Sequence, residues 1–304
     1  ALYSLWLHAR MPQPAPAAGF AVFSRESGFL LNNALLATLA GTVLLGTLYP
    51  LALQVLNLPP VSVGPPFYHI TVLPVAAMVL AAMAVAPVAA WGATPLATAR
   101  ERLLSMLCLM LPPLGLLILT EDKLTLVSLA FAALALVTLA SVLPLARRRQ
   151  WALALGHGGF ALAVFGMVAT EYWQEQAVVS LSPGETARIG RHTVRFVESR
   201  VENGSTFQAQ VARLELAREG RAATALEVSK RFYPSHSMET TEVGMAGDRL
   251  GDLYVIPGGP VQQGSLQGAW SFHLYRKPFI WLLWSGAGLM VLGGLTAAAR
   301  RFRA

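Results

Sequence analysis

Apolar residues are distributed along this chain in two rhythms. Near-continuous apolar runs at 29–53, 68–91, 103–119, 124–146, 151–170 and 279–298 predict helices of membrane-crossing length, which takes about 20 residues. Between the fifth and sixth runs, residues 171–277 change character. HTVRFVES, TFQAQVARLELA and TALEVSKRFY alternate apolar with polar positions, and Asn203-Gly204 and Glu219-Gly220 mark turns between them. DLYVI and WSFHLY add further strands, for about six in all. The pattern predicts a polytopic α-helical membrane protein with an inserted small antiparallel β domain, barrel-like or sandwich-like. Its first part, 11–170, is a bundle of about five spans, and 278–304 is a final span with a basic tail. The opening ALYSLWLHAR is too short to span anything. It reads as the end of a truncated helix, with His8 at the interface, and points to a fragment or the second half of a longer polypeptide.

Polar residues refine the helices. Ser24 is placed to cap the first long helix, and Glu26 complements the positive end of its dipole. Asn32 and Asn33 lie inside the same helix, where paired amides either bond across to another helix or face a polar cavity. Pro112 and Pro113 fall in mid-run and predict a break or kink, because each removes a backbone donor.

The 304 residues are 55% hydrophobic and 13% charged, which excludes an ordinary soluble enzyme. One cysteine, Cys108, leaves no disulfide framework and no thiol pair. The net charge of +7 does not point to nucleic acid. Residues 171–277 hold twelve basic and twelve acidic residues, so the surplus lies in the membrane region. There Arg10, Arg25, Arg100, Arg102, Arg147, Arg148, Arg149, Arg300, Arg301 and Arg303 alternate with the loops in a way that puts one side, and the C-terminus, in the cytoplasm. Lys123 and residues 171–277 then lie outside, with Trp281 and Trp284 anchoring the outer end of the last helix.

The run WALALGHGGFALAVFGMVAT, 151–170, contains a single ionisable side chain, His157. An imidazole about 10 Å into a membrane helix is costly and is read as functional by default. Gly156, Gly158 and Gly159 surround it. Backbone without Cβ atoms beside a nitrogen lone pair suits close approach of a porphyrin with axial ligation. The same residues equally suit a packing histidine on a closely apposed helix. His192, His236 and His273 have no spacing that predicts a metal site.

Taken in order, FSRESGFLLNNALL, LLGTLYP followed by SVGPPF, the intramembrane GHGGFALAVFG helix, KRFY followed by METTEVG and GDLYV, and YRKPFIWLLWSGAGLMVLGGL resemble the C-terminal half of the CcmF family. These are haem lyase subunits of bacterial cytochrome c maturation, located in the inner membrane. The resemblance spans nearly the whole chain.

It implies that His157 is one of two intramembrane histidines ligating a b-type haem (haem b), with Gly158 and Gly159 allowing its close approach. The second ligand is expected on an earlier helix outside this chain. So are the tryptophan-rich outer loop and the two external histidines of the family; His69 is given no haem role. The implied activity is that of a holocytochrome c synthase. Haem from the chaperone CcmE is joined to the CxxCH thiols of an apocytochrome c presented by CcmH- or CcmI-type subunits, with quinol as a possible electron source. The N-terminal half, or a split partner, completes the protein, and residues 171–277 become a periplasmic docking domain. The other classes are a transporter or permease half lined by Asn32, Asn33 and the Pro112-Pro113 helix, and a structural assembly subunit without a cofactor.

Overall fold

The computed structural model describes residues 21–22, 24–59, 61, 63–85, 89–120, 125–218, 221–248, 251–261 and 268–301. The expectations for His8, Lys123 and the Glu219-Gly220 turn lie outside these. The chain divides into two units, Ala1–Leu116 with Leu136–Gln150, and Leu117–Ala135 with Trp151–Ala304.

Six long helices are present: α1 (Arg25–Val55), α2 (Pro65–Val85), α3 (Leu96–Thr120), α4 (Leu126–Arg147), α5 (Trp151–Tyr172) and α6 (Ile280–Arg301). Among the described residues, all but α3 are long and apolar enough to cross a membrane. In α3 Arg100 and Glu101 occupy the first turns, and the apolar run begins only at Leu103. Of the expected break or kink at Pro112 and Pro113, there is no break, since the helix runs continuously through both. The carbonyls of Cys108 and Leu109 thereby lose their intrahelical donors.

In the first unit, Ser24 caps α1 by accepting from the Ser27 N–H at 3.2 Å. Glu26 does more than complement a dipole, since both of its oxygens accept from the Gly92 N–H, at 2.9 and 3.1 Å. Trp91 was expected inside a span. It lies instead in the turn after α2, under the Arg25 guanidinium at 5.4 Å and beside Phe29. Gly92, in the left-handed region at φ 79°, makes that turn. α1 and α2 meet at Gly46, where a Cβ would come within 2.9 Å of the Phe67 and Tyr68 side chains. Ala84, Met106, Val137 and Ala140 form a small buried cluster from α2, α3 and α4.

In the second unit, α5 leads into an antiparallel β-sandwich and α6 leads out of it. The strands are β1 (Glu175–Leu181), β2 (Thr186–Ile189), β3 (His192–Asn203), β4 (Gln208–Arg218), β5 (Arg221–Tyr233), β6 (Met238–Glu242), β7 (Gly244–Asp248), β8 (Gly251–Pro260) and β9 (Trp270–Pro278). They form one sheet of order β1-β9-β8-β7 and another of order β2-β3-β4-β5-β6. That is nine strands where about six were expected. The alternation rule placed β3, β4, β5, β8 and β9, whereas β1, β2, β6 and β7 lack a strong contrast between their two faces.

The alternation pays into a single core. Val194, Phe196, Leu214, Leu253, Val255, Phe272 and Leu274 are fully buried between the sheets, and Phe196 meets Phe272 edge-on at 5.4 Å. Asn203-Gly204 opens a four-residue connection, closed by the Gly204 N–H donating to the Phe207 carbonyl at 2.8 Å. The position of a Gly204 Cβ is filled by the Phe207 ring at 2.7 Å, so glycine is what lets that ring fold back.

Candidate functional site

α5 contains three glycines among four consecutive residues, each costing about 1 kcal/mol relative to alanine in a helix interior. Contact with α6 accounts for Gly159. An added Cβ there would sit 2.5 Å from the Gly286 carbonyl oxygen and 2.8 Å from the Met290 nitrogen. About two turns further on, a Cβ at Gly166 would meet the Leu283 nitrogen at 2.7 Å. From the other side, one at Gly293 would meet the Gly156 nitrogen at 2.8 Å and the Ala152 carbonyl oxygen at 2.9 Å. Gly159 and Gly166, with Gly293 from the facing helix, therefore form a stripe along which the two backbones meet, the small-residue packing that membrane helices use to approach closely.

The stripe fixes where His157 points. At 100° per residue, its side chain emerges roughly 140° around α5 from the line of α6 contacts. His157 is half-buried there, and Gly158 beside it is buried. The expectation that Gly159 opens the helix to a haem meets a different occupant, since α6 fills that position. A Cβ at Gly156 itself would have no neighbour within 4 Å.

The far end of α5 is tied down by polar contacts. The Tyr172 hydroxyl accepts from Ser128 Oγ at 2.8 Å and from the Thr125 N–H at the start of α4. Trp173 packs edge-on against Phe279 at 5.4 Å. Phe279 has φ 62°, a left-handed residue at the point where β9 turns into α6. Just above, Arg276 Nη1 meets Glu175 Oε1 at 2.6 Å, joining β1 to β9 where the two strands leave the helices. α5 thus runs into β1 and β9 into α6, with the Trp173–Phe279 pair at the junction and the Glu175–Arg276 ion pair between the two strands.

The remaining candidates are dispersed. Asn33 is exposed and Asn32 half-buried, and neither amide has a hydrogen-bond partner among the described residues. His69 is exposed on α2, His192 is buried at the start of β3, and His273 faces outward from β9. Among the described residues no three His, Cys, Asp or Glu side chains come together as a metal site. Gly286 and Gly293, which lock α6 against α5, were not singled out from the sequence. Their seven-residue spacing on an apolar helix is the signal that identifies them.

Comparison with known proteins agrees with this architecture. Residues 172–278 match the family described as CcmF C-terminal beta-sandwich, which covers the strands found here. The chain is 34% identical over 323 aligned residues to the cytochrome c-type biogenesis protein CcmF of Pseudomonas aeruginosa, covering 99% of this chain and 48% of that protein. It is 31% identical to CcmF of Haemophilus influenzae, covering 92% of this chain and 46% of that protein. A solved structure described as cytochrome c heme lyase CcmF superposes with a TM-score of 0.65 at 24% identity, over 90% of this chain and 46% of that one. The chain spans about half the length of the curated relatives it matches. From its sandwich and its relatives alike, the chain belongs to the CcmF family of cytochrome c-type biogenesis proteins, within the C-terminal region of that family.

Proposed function

We propose that this chain forms half of a membrane haem lyase and that His157 supplies one axial ligand to a resident b-type haem. The observation that carries this is the direction of His157. It stands inside an apolar helix, away from the line along which α6 packs, and an imidazole in such a helix is costly. Gly156 has open space beside it on the same helix, which suits approach of a flat group; Gly159, taken by α6, is not available for that. The second ligand comes from the remaining half of the protein, continuous with this chain or separate.

When bound, the group provides one-electron chemistry, with quinol as donor. The residues of this chain then do three things. His157 offers a nitrogen lone pair, the Gly159 and Gly286 contact fixes the axis of its helix, and Tyr172 holds the outer end of that helix through Thr125 and Ser128. The reaction served is attachment of substrate haem, delivered by CcmE, to an apocytochrome c presented by CcmH- or CcmI-type subunits. Each CxxCH thiol adds across a vinyl group, so that sulfur bonds one carbon and the thiol hydrogen ends on its neighbour. The arginines at the start of α1 and α3 and around the α4–α5 turn support a bacterial inner-membrane orientation with 171–277 in the periplasm and the C-terminus in the cytoplasm.

The test is His157→Ala in the assembled protein. The low-spin b-type spectrum should disappear and cytochrome c maturation with it, while His157→Gly plus imidazole restores part of both. Amide exchange in the sandwich should stay unchanged. Full haem content and normal maturation in His157→Ala would make α5 a packing element only.

A further inference from the structure

The middle of the outward face of the β1-β9-β8-β7 sheet is largely apolar and aromatic, between a row of Asp252 and Lys277 and a row of Ser180 and Ser271. Two cross-strand rows compose that middle. One runs Gln176, Tyr275, Tyr254, Met245, and the next Val178, His273, Ile256. Val178 is 68% exposed and Met245 59%, with Val243 continuing the second row at 43%. Between them lies a groove of about 510 Å³ with Tyr254, Tyr275 and Met245 in its lining. Its rim on the side of α5 and α6 is formed by Gln174 and by Lys277, whose Nζ lies 5.5 Å over the Tyr254 ring. Burial, and then Asp252, push the Tyr254 phenol up from its ordinary value, so it remains a hydrogen-bond donor at neutral pH.

A face of this composition has the character of an interface centre: tyrosine and methionine in the middle, polar groups at the rim. Two observations decide the occupant. The relatives carry about as much chain again beyond the matched region, so a family protein brings a second mass of similar size to this one. In α1, Asn32 and Asn33 also have no hydrogen-bond partner among the described residues, and amides in a membrane helix favour contact with further polypeptide over lipid. A bilayer surface fits the sheet less well. At about 3.3 Å per residue, the Val178 and Ile256 row stands well above the helix ends, beyond a headgroup layer only about 5–7 Å thick.

We propose that this outward sheet face is the docking surface for the extramembrane part of the other half of the CcmF-family protein, taken up through an apolar, aromatic-bearing segment that fills the groove beside Tyr254, Tyr275 and Met245. The proposal rests on the family reading and names the surface through which the two halves join. It does not depend on the haem assignment.

A photo-crosslinking amino acid placed at Met245, or in separate variants at Tyr275, in the intact membrane assembly tests it, with Arg213 on the opposite sheet as control. Crosslinks from 245 and 275, and not from 213, should map by mass spectrometry to the family protein outside the matched half. Tyr275→Ser combined with Met245→Ser should weaken retention of that half about tenfold or more, as loss of interface anchors does, with amide exchange in the sandwich unchanged. Crosslinks to lipid, to a second copy of this chain or to a soluble polypeptide would overturn the assignment, as would their absence. Because crosslink and retention are read without haem, a negative result here leaves the His157 spectrum to stand or fall separately.

Discussion

The two sheets of the sandwich share one core and finish their outer faces in opposite ways. On the five-stranded sheet, outward residues are charged and paired across strands: Arg195 with Glu215 at 3.7 Å, Arg213 with Glu198 at 3.8 Å, Arg200 with Glu227 at 3.1 Å and Arg231 with Glu242 at 3.3 Å. On the four-stranded sheet the central outward positions hold Val178, Ile256, Tyr254, Tyr275 and Met245, with Gln176 and His273 in the same rows. The first face is complete in water. The second has the composition of an interior and lacks its other side. The helices repeat the contrast, since α5 and α6 are closed on each other at backbone distance whereas α1 has two amides without partners among the described residues. In both places a surface satisfied within the chain can be told from one that awaits a partner by what its side chains still need.

The largest effect is expected where the closed contacts leave no room. Gly159→Leu drives a side chain into the Gly286 carbonyl and the Met290 nitrogen, both backbone atoms that cannot swing aside. The variant should lose most of its folded protein from membranes, seen by protease resistance in the isolated membrane fraction. Gly294→Ala, on the same helix with nothing within 4 Å, should behave as wild type. Equal tolerance of the two would mean that the α5–α6 contact is not tight, and the direction deduced for His157 would go with it.

Next comes the core that both sheets share. Phe272→Ala removes a fully buried ring that touches Phe196 of the opposite sheet, at a cost of about 3–5 kcal/mol. Hydrogen exchange should quicken in β3 and β4 as much as in β8 and β9. Loss of protection confined to the four-stranded sheet would show that the sheets are separate cooperative units and would undercut the comparison of their faces.

How much of this was legible beforehand depended on whether the deciding contact was local. α5 was expected at 151–170 and runs Trp151–Tyr172, because an unbroken apolar run between arginines and a polar stretch has only one reading. The end of α2 was misplaced because AVAPVAAWGA is as apolar as a span, and only Gly92 and the contacts of Trp91 with Arg25 and Phe29 make it a turn. β7, read from GMAGD, carries too little contrast to announce a strand and is defined by its pairing with β8. At the candidate site the identity of His157 was legible and its direction was not. That direction follows from Gly286 and Gly293, which lie beyond the entire sandwich in sequence. The contact of Gly159 with α6 was hidden for the same reason, since a glycine beside a histidine looks alike whether a cofactor or a helix lies against it.

The smallest expected effect tests the charged face. Arg213 and Glu198 are 47% and 56% exposed, and exposed pairs of this kind contribute only about 0.2–1 kcal/mol, less as salt is raised. Arg213→Ala should therefore shift the unfolding of the sandwich slightly, and the shift should shrink between low and physiological salt. Little of it should depend on pH near neutrality through Arg200 nearby. Hydrogen bonds to Glu202 and then Glu227 raise the pKa of that guanidinium, so its contribution is fully present below its unfolded value and is lost only in strong alkali. The informative readout is retention of the other half of the protein, measured by co-purification beside Tyr275→Ser with Met245→Ser. If the five-stranded face is complete in water, Arg213→Ala leaves retention untouched while the paired serine variant lowers it. If Arg213→Ala releases the partner and the serine variant does not, the ionic face is the interface, and the apolar one has to be explained by something other than docking.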